Sequence, residues 1–218
     1  MRVSRRTILS CGLASLASGC GDVAFPRTVK KLYGAVAPLN EQSFDRSYVD
    51  QIPYACMRAT LGRSPVSLLI LGGVNGSDLT WFSADKAAIV TRSGRIIRSA
   101  GFPHNLKNTI FYAQDPIATP WPADKETATL TRVVDLEIAG LYGIVVTSEI
   151  TNAGAEQVTP LDIAIPVVHL VETCRCRGVD WEFENHFWKD MKTGFVWRSV
   201  QTFVPNVPPL EMDVLRAY

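Results

Sequence analysis

The chain has 218 residues, with 22 basic and 21 acidic side chains and a formal net charge of +1. This balance excludes a protein that binds nucleic acid through a basic face, because such proteins neutralise phosphates with clustered Lys and Arg. The length suits one domain with a substantial core, and no hydrophobic span follows the N-terminal region, so we expect a soluble body.

The N-terminus has the features of a bacterial export signal. Arg5 and Arg6 precede a weakly apolar run, three small residues and then Cys20. A basic region, a short apolar run and small residues are typical of a secretory signal, and small residues before a Cys resemble a lipobox. We therefore predict a signal peptide over residues 1–19 and a lipid on Cys20, followed by a tether over residues 20–26.

Two alternatives concern this signal. The Arg5-Arg6 pair suits the twin-arginine export route as well as the general secretory route. An ordinary cleaved signal peptide is the alternative to lipidation at Cys20. Asp22 lies one residue beyond the position that would resemble an inner-membrane retention signal, which favours the outer membrane, with the protein facing the periplasm. Removing residues 1–19 leaves 19 basic against 21 acidic residues.

Two short helices are expected before the strands begin. Residues 27–37 carry apolar positions on one helical face and are followed by Pro38, and residues 45–52 form a shorter segment that ends before Pro53. We assign residues 27–218 to a single domain.

From residue 56 onward the pattern is that of short strands bounded by Gly and Pro. Arg92-Ser93-Gly94-Arg95 between two apolar runs predicts a hairpin, and the alternation over residues 133–138 predicts a half-buried strand. Turns are expected at 139–140 and 152–154. About ten strands in sequence with short connections predict a mainly β fold, an antiparallel meander that forms a barrel-like or sandwich domain.

Three cysteines remain beyond the signal. An oxidising periplasm allows a disulfide between Cys56 and either Cys174 or Cys176. On a strand, Cys174 and Cys176 would point to one face. Their spacing is not the usual Cys-x₂₋₄-Cys of zinc sites, so no metal site is predicted.

Catalytic motifs are scarce. On a strand, Glu182 and Glu184 would share one face with Asp180, and two carboxylates across a groove could hydrolyse a glycosidic bond. A solvated strand face is the commoner explanation for alternating acids. Trp81, Trp181, Trp188 and Trp197 could stack on sugar rings, although buried tryptophans are commoner in a β core.

Three sequence motifs are similar to those of the YjbF/GfcB family of outer-membrane lipoproteins. They are Ile-Pro-Tyr-Ala at 52–55, Trp-Phe-Ser-Ala-Asp at 81–85 and Gly-Phe-Val-Trp-Arg-Ser-Val-Gln at 194–201. The resemblance spans nearly the whole chain after the signal. It implies an all-β lipoprotein encoded with genes for group 4 capsule or exopolysaccharide secretion, with Cys20 matching the family's anchor. It supplies no catalytic residues, and the cysteines at 56, 174 and 176 are not part of the family's pattern.

These observations lead to one functional expectation and two alternatives. The expected function is a non-enzymatic accessory in capsule or exopolysaccharide production or export, which contacts export proteins of the envelope or the polysaccharide and needs no cofactor. The alternatives are a periplasmic glycan-processing enzyme that uses Glu182 and Glu184, and a glycan-binding module.

Overall fold

The computed structural model describes residues 44–122, 124–138 and 140–218. Within these ranges, twelve strands form one antiparallel sheet, with one α-helix, α1, before them and a single 3₁₀ turn between β6 and β7. The elements are α1 (Arg46–Asp50), β1 (Cys56–Leu61), β2 (Ser67–Asn75), β3 (Asp78–Ser83), β4 (Ala88–Arg92), β5 (Arg95–Ala100), β6 (Leu106–Phe111), the 3₁₀ turn (Pro116–Ala118), β7 (Thr127–Leu136), β8 (Ile144–Val158), β9 (Ile165–Cys176), β10 (Glu182–Asp190), β11 (Val196–Gln201) and β12 (Leu210–Arg216).

The sheet is nearly closed. Every strand pairs with the next in sequence except across β5 and β6, and the last strand, β12, pairs with the first, β1. Side chains join the β5–β6 gap: the Leu106 amide donates to Ser99 Oγ at 2.9 Å, and Thr109 Oγ1 donates to the Ile97 carbonyl at 3.0 Å. The predicted mainly β, antiparallel class is confirmed, and of the two predicted forms the structure adopts the barrel-like one; we call the sheet the barrel.

The predicted hairpin at residues 92–95 is confirmed. Ser93 and Gly94 both have positive φ, 51° and 87°, which matches the twist of a two-residue turn between paired strands. Gly94 is also tightly packed, because a Cβ there would lie 2.5 Å from Cβ of Val196. The turn therefore requires glycine for both its conformation and its contact with β11.

One turn prediction is wrong, and one strand was not predicted. The expected turn at 152–154 is a β-bulge, and β8 continues through it to Val158, so the hairpin turn falls at 159–164. Residues 106–111 form β6, which the sequence pattern did not predict. The described residues therefore contain twelve strands rather than about ten.

The helix predicted over residues 45–52 is confirmed as α1, where Asp45 caps the N-terminus by accepting from the Tyr48 amide at 2.9 Å. Its buried residue, Val49, packs on the outer face of the barrel against Cys56, Leu68, Ile70 and Leu215. None of the helices in the described ranges has the length and apolar character needed to cross a membrane. The predicted signal, Arg5, Arg6, Cys20, the tether and the helix at 27–37 lie outside the described residues.

The barrel interior has a polar layer between two apolar clusters. Along β7, for example, Leu130 belongs to one cluster, Val134 belongs to the other, and the buried Arg132 lies between them. Strands β8, β9 and β10 repeat this arrangement. We define the polar layer as Arg95, Asp115, Arg132, Ser148, Glu172 and Asn185.

Candidate functional site: a cavity at one end of the barrel

A cavity of about 420 Å³ opens at one end of the barrel. We call this the cavity end; the β2–β3 turn, the β4–β5 turn, the β10–β11 connection and the C-terminus all lie there. The volume falls within the range of about 300–1,000 Å³ that is usual for small-molecule sites. A second cavity, of about 160 Å³, lies at the opposite end between the β1–β2, β3–β4 and β5–β6 connections.

The walls of the larger cavity are apolar, and its rim is polar. Trp81, only 2 % exposed, lies in the wall, and the exposed residues of the rim include Tyr218, which is 74 % exposed. The apolar wall residues include Met57, Leu79, Trp81, Val196, Trp197, Met212 and Val214. The hydroxyl-bearing rim residues are Ser77, Ser93, Thr193 and Tyr218, and the charged residue Arg198 also lines the cavity.

A bulge in the β10–β11 pairing shapes one wall. The register shifts between Trp188 and Lys189, which pair with Arg198 and Val196 respectively, so that Trp197 is the extra residue. Consecutive side chains, Val196 and Trp197, both line the cavity as a result. A bulge re-aims side chains in this way because it interrupts the alternation of a regular strand.

Two buried polar residues of the cavity wall, Thr91 and Ser199, have hydrogen-bond partners within the protein. Trp81 Nε1 donates to Thr91 Oγ1 at 2.9 Å, and Gln201 Nε2 donates to Ser199 Oγ at 2.9 Å. These pairs satisfy the buried indole and hydroxyl groups within the protein. The wall therefore presents mainly hydrocarbon and aromatic surface to anything that enters.

The 3₁₀ turn fills the other half of the cavity end. Asp115 caps it by accepting from the Ile117 amide at 3.0 Å, and Ile117 is fully buried in the apolar cluster on β7–β10. The buried Lys189 donates from Nζ to the Ile117 carbonyl at 2.5 Å. Burial lowers the pKa of Lys189 to about 8, although the charge of Asp115 opposes this.

Glu172 is the centre of the polar layer. It is fully buried and accepts hydrogen bonds from Arg95 Nη1 at 2.6 Å, Arg132 Nη1 at 2.8 Å, Ser148 Oγ at 2.7 Å and Asn185 Nδ2 at 2.8 Å. Burial alone would raise the pKa of Glu172, but the charges of the two arginines and these hydrogen bonds lower it.

Arg95 extends this network to the 3₁₀ turn. Its guanidinium also donates to Asp115 at 2.5 and 3.1 Å, so β5, β9 and the turn are joined through one side chain. A carboxyl held ionised by two arginines is unsuited to act as a general acid, which needs a raised pKa. The arrangement is that of a structural ion-pair network.

The two acids considered for catalysis lie on the outer face of the barrel. Glu182 is exposed and pairs with Arg175 Nε at 3.2 Å, and Glu184 is exposed and accepts from Thr173 Oγ1 at 3.4 Å. Neither residue lines the cavity. The predicted alternation of β10 is confirmed, since Trp181 and Phe183 pack inward against the core.

The four tryptophans considered for sugar stacking have different surroundings. Trp81 and Trp197 both line the larger cavity, whereas Trp181 stacks on Phe183 at 4.3 Å between centroids.

Trp188 has neighbours on both adjacent strands. The His169 ring stacks on it at 4.4 Å from β9, and the Arg198 guanidinium lies 5.1 Å from its centroid, from β11. Protein groups on two sides therefore leave Trp188 a poor platform for a sugar.

Around Trp188 is a cluster of titratable groups on the outer face. His169 Nδ1 lies 2.8 Å from Glu156 Oε1, His169 Nε2 lies 3.1 Å from His186 Nδ1, and Trp188 Nε1 donates to Glu156 Oε2 at 2.7 Å. Burial, and then the neighbouring His169, lower the pKa of His186. Within the described ranges, no group of three or more His, Cys, Asp and Glu side chains is arranged to hold a metal ion.

All three cysteines of the described chain are free thiols. Cys174 and Cys176 share the inner face of β9, as expected for alternate strand residues, whereas Cys56 packs in the outer cluster under α1. The disulfide that the sequence allows between Cys56 and either partner is therefore not formed in this structure. Burial raises the pKa of Cys56 to about 11 and that of Cys174 to about 12.

Neither the polar layer nor the cavity was predicted from the sequence. The layer had a usable signal: Glu172 lies two residues from both Leu170 and Cys174, so it shares their inward face, and Arg132 interrupts an apolar alternation on β7 in the same way. The cavity had no comparable signal, because its walls come from strands far apart in the sequence.

The sequence and the fold of the chain are both similar to those of known proteins. The chain is 25 % identical over 169 residues to the uncharacterized lipoprotein GfcB of Escherichia coli (strain K12), which covers 77 % of this chain and 78 % of that protein. Its fold is similar to the crystal structure of the hypothetical lipoprotein YmcC from Escherichia coli (K12), with a TM-score of 0.71, 24 % identity, and coverage of 79 % of this chain and 88 % of that one. Since the family model matches residues 29–215, the chain belongs to the family described as group 4 capsule polysaccharide lipoprotein gfcB, YjbF.

Proposed function

We propose that the protein is a non-enzymatic accessory in capsule or exopolysaccharide production or export, acting through protein or glycan contacts. Membership of the capsule polysaccharide lipoprotein family is the observation that carries this proposal. The proposal includes a lipid anchor on Cys20 that holds the barrel at the outer membrane, facing the periplasm. The relatives' description as lipoproteins supports the anchor.

The placement of the charged groups supports contact rather than catalysis. Glu182 and Glu184 project from the exposed outer face, where no cleft of the described structure brings them to the larger cavity. The buried Glu172 is fully engaged by two arginines. Acid–base catalysis needs a pair of carboxyl groups whose pKa values differ and which share a site with the substrate.

The test is a pull-down of the tagged lipoprotein from detergent-solubilised outer membranes, with Cys20→Ala as the matched control. We expect an outer-membrane or polysaccharide-export protein to be recovered with the wild type and lost or reduced with Cys20→Ala. Equal recovery with both forms would contradict a role for the anchor. Recovery of no envelope protein would contradict the accessory function.

A second experiment separates the accessory from the glycan-processing enzyme. The double variant Glu182→Gln/Glu184→Gln should restore surface polysaccharide in a deletion strain as well as the wild type does, because these acids have only exposed contacts. Loss of polymer with normal amounts of the variant protein would favour the enzyme.

A further inference from the structure

We propose that the larger cavity binds a single hydrocarbon chain of an amphipathic molecule, with the polar head of that molecule at the rim. This inference concerns the cavity alone and goes beyond the accessory function, which does not depend on it. The shared chemistry is an extended apolar chain, whether it belongs to a phospholipid or to a lipid-linked glycan.

The barrel has room for such a chain because its interior is wide. The space inside a barrel grows with strand number, and about eight strands already suffice to be filled by side chains or to hold one small ligand. With twelve strands in the described sheet, the polar layer and the buried 3₁₀ turn fill only part of the interior. The remaining space of about 420 Å³ lies between β3–β4 on one side and β11, β12 and β1 on the other.

The chemistry of the walls selects against a polysaccharide in the deep part of the cavity. The hydroxyl of Thr91 is paired with Trp81, and that of Ser199 is paired with Gln201. A sugar that entered would lose water around its own hydroxyls without gaining matching partners, which is costly. A hydrocarbon chain would exchange water for contact with Met57, Met212 and Val214 and similar side chains, which is favourable.

The rim supplies what the head of an amphipathic molecule requires. The exposed hydroxyls of Ser77, Ser93, Thr193 and Tyr218 border the opening, and no Asp or Glu is among the residues that line the cavity. A largely apolar wall whose hydroxyls are already paired, with exposed hydroxyls at the mouth, is the distribution expected for a molecule with an apolar tail and a polar head.

The cavity also opens on the side of the barrel where the described chain begins. Helix α1 is attached at this end: Arg46 pairs with Asp162 of the β8–β9 turn at 2.8 Å, and Arg216, at the end of β12, donates to the Ile52 carbonyl. Tyr218, two residues beyond Arg216, lines the cavity. A lipid anchor on the preceding segment would therefore join the barrel at its cavity end.

The test uses three probes that separate tail from head. Maltose carries the sugar alone, dodecyl maltoside adds a hydrocarbon tail, and dodecylphosphocholine has the same tail on a phospholipid head. Each is titrated below its micelle concentration into the full chain carrying Cys20→Ala, which has no attached lipid to compete. Tryptophan fluorescence reports binding, because Trp81 and Trp197 lie in the cavity wall.

We expect both tailed probes to bind at one site per chain and maltose not to bind. Tighter binding of dodecyl maltoside would identify a lipid-linked glycan as the source, and tighter binding of dodecylphosphocholine would identify a phospholipid. Binding of maltose as tight as that of dodecyl maltoside would overturn the proposal, as would the absence of binding by both tailed probes.

A matched pair of variants locates the site. Leu79 lines the larger cavity and Leu61 lines the smaller one, and both are half-buried residues packed on the same core cluster. Leu79→Trp should weaken binding of the tailed probes at least tenfold, whereas Leu61→Trp should leave it within twofold. Equal losses in the two variants would overturn the proposal. Should Leu79→Trp fail to fold, the exposed lining residue Ala118 provides Ala118→Trp, for which the same tenfold loss is expected.

Discussion

Replacing Glu172 by Gln tests the importance of the polar layer for stability. The change removes the only carboxylate that pairs with Arg132 in the described structure and one of two that pair with Arg95. Arg132 is then left with Ser148 Oγ at 3.4 Å and Cys174 Sγ at 3.5 Å. Breaking a buried ion pair by removing one partner costs about 3–5 kcal/mol, because the remaining charge stays buried without compensation.

The measurement is urea unfolding of the wild type, Glu172→Gln and the control Glu184→Gln. The control makes the same chemical change on an exposed residue, so we expect a loss within about 0.5 kcal/mol. For Glu172→Gln we expect a loss of about 3–5 kcal/mol with an unchanged denaturant slope, equivalent to roughly 10 °C in melting temperature. A loss within about 1 kcal/mol of the control would refute the account of the polar layer.

The same variant has a defined pH dependence. The pKa of Glu172 lies below its ordinary value of 4.5 in the folded protein, so the unfolded chain binds the proton more readily. The stabilisation from Glu172 is therefore present above about pH 4.5 and is lost as the pH falls below that value. Between pH 6 and pH 3 the difference in stability between wild type and Glu172→Gln should shrink, and a constant difference would contradict this assignment.

Three further predictions concern other buried groups. Because the pKa of Lys189 is lowered from 10.5 to about 8, the unfolded chain binds the proton more tightly than the folded one between these values. The free energy of unfolding of the wild type, measured in urea at each pH, should therefore rise by roughly 3 kcal/mol relative to Lys189→Met between pH 8 and 10.5. The same pH dependence in both proteins would contradict this prediction. Gly94→Ala should destabilise the protein by more than about 2 kcal/mol, because the added Cβ would clash with Val196 in addition to the cost of a positive φ. Gly76→Ala, whose Cβ would contact nothing within 4 Å, should cost only about 1–2 kcal/mol for its positive φ. Equal decreases in melting temperature for the two variants would count against the close packing of Gly94. The three thiols of the described chain should react with Ellman's reagent only on unfolding, since burial raises their pKa values; rapid labelling of the native protein would show that they are accessible.

Local patterns were enough to predict much of the sheet. A Gly-containing two-residue loop such as Ser93-Gly94 is typical of a β-hairpin turn. The alternation of β10 correctly placed Trp181 and Glu182 on opposite faces. These features depend only on residues close in the sequence. The fold class could therefore be predicted without knowledge of the tertiary contacts.

The errors occur where one local pattern fits two structures. An Asn-x-Gly sequence suits a tight turn, but at residues 152–154 it forms a bulge in a continuous strand, since Gly154 takes a φ of 115° in either setting at little cost. Strand β6 was missed because it lies beside the β5–β6 gap and alternates weakly between buried and exposed residues. Pairing with neighbouring strands determines both the bulge at 152–154 and the formation of β6, and this pairing cannot be predicted from the local sequence pattern.

The pairing of β1 with β12 sets an order on folding. Strands β1 to β5 can form by successive hairpins as they are synthesised, but the other edge of β1 must wait for β12, about 150 residues further along the chain. Contacts of such long separation slow folding, because the loop must close before the contact is gained. Until then β1, with Cys56, Met57 and Ala59 all buried in the final structure, presents an unpaired apolar edge of the kind that promotes aggregation. Pairing of β12, the seven-residue last strand, therefore covers the exposed edge of β1. Truncation before Leu210 should yield a chain that accumulates as aggregates rather than as a shorter barrel.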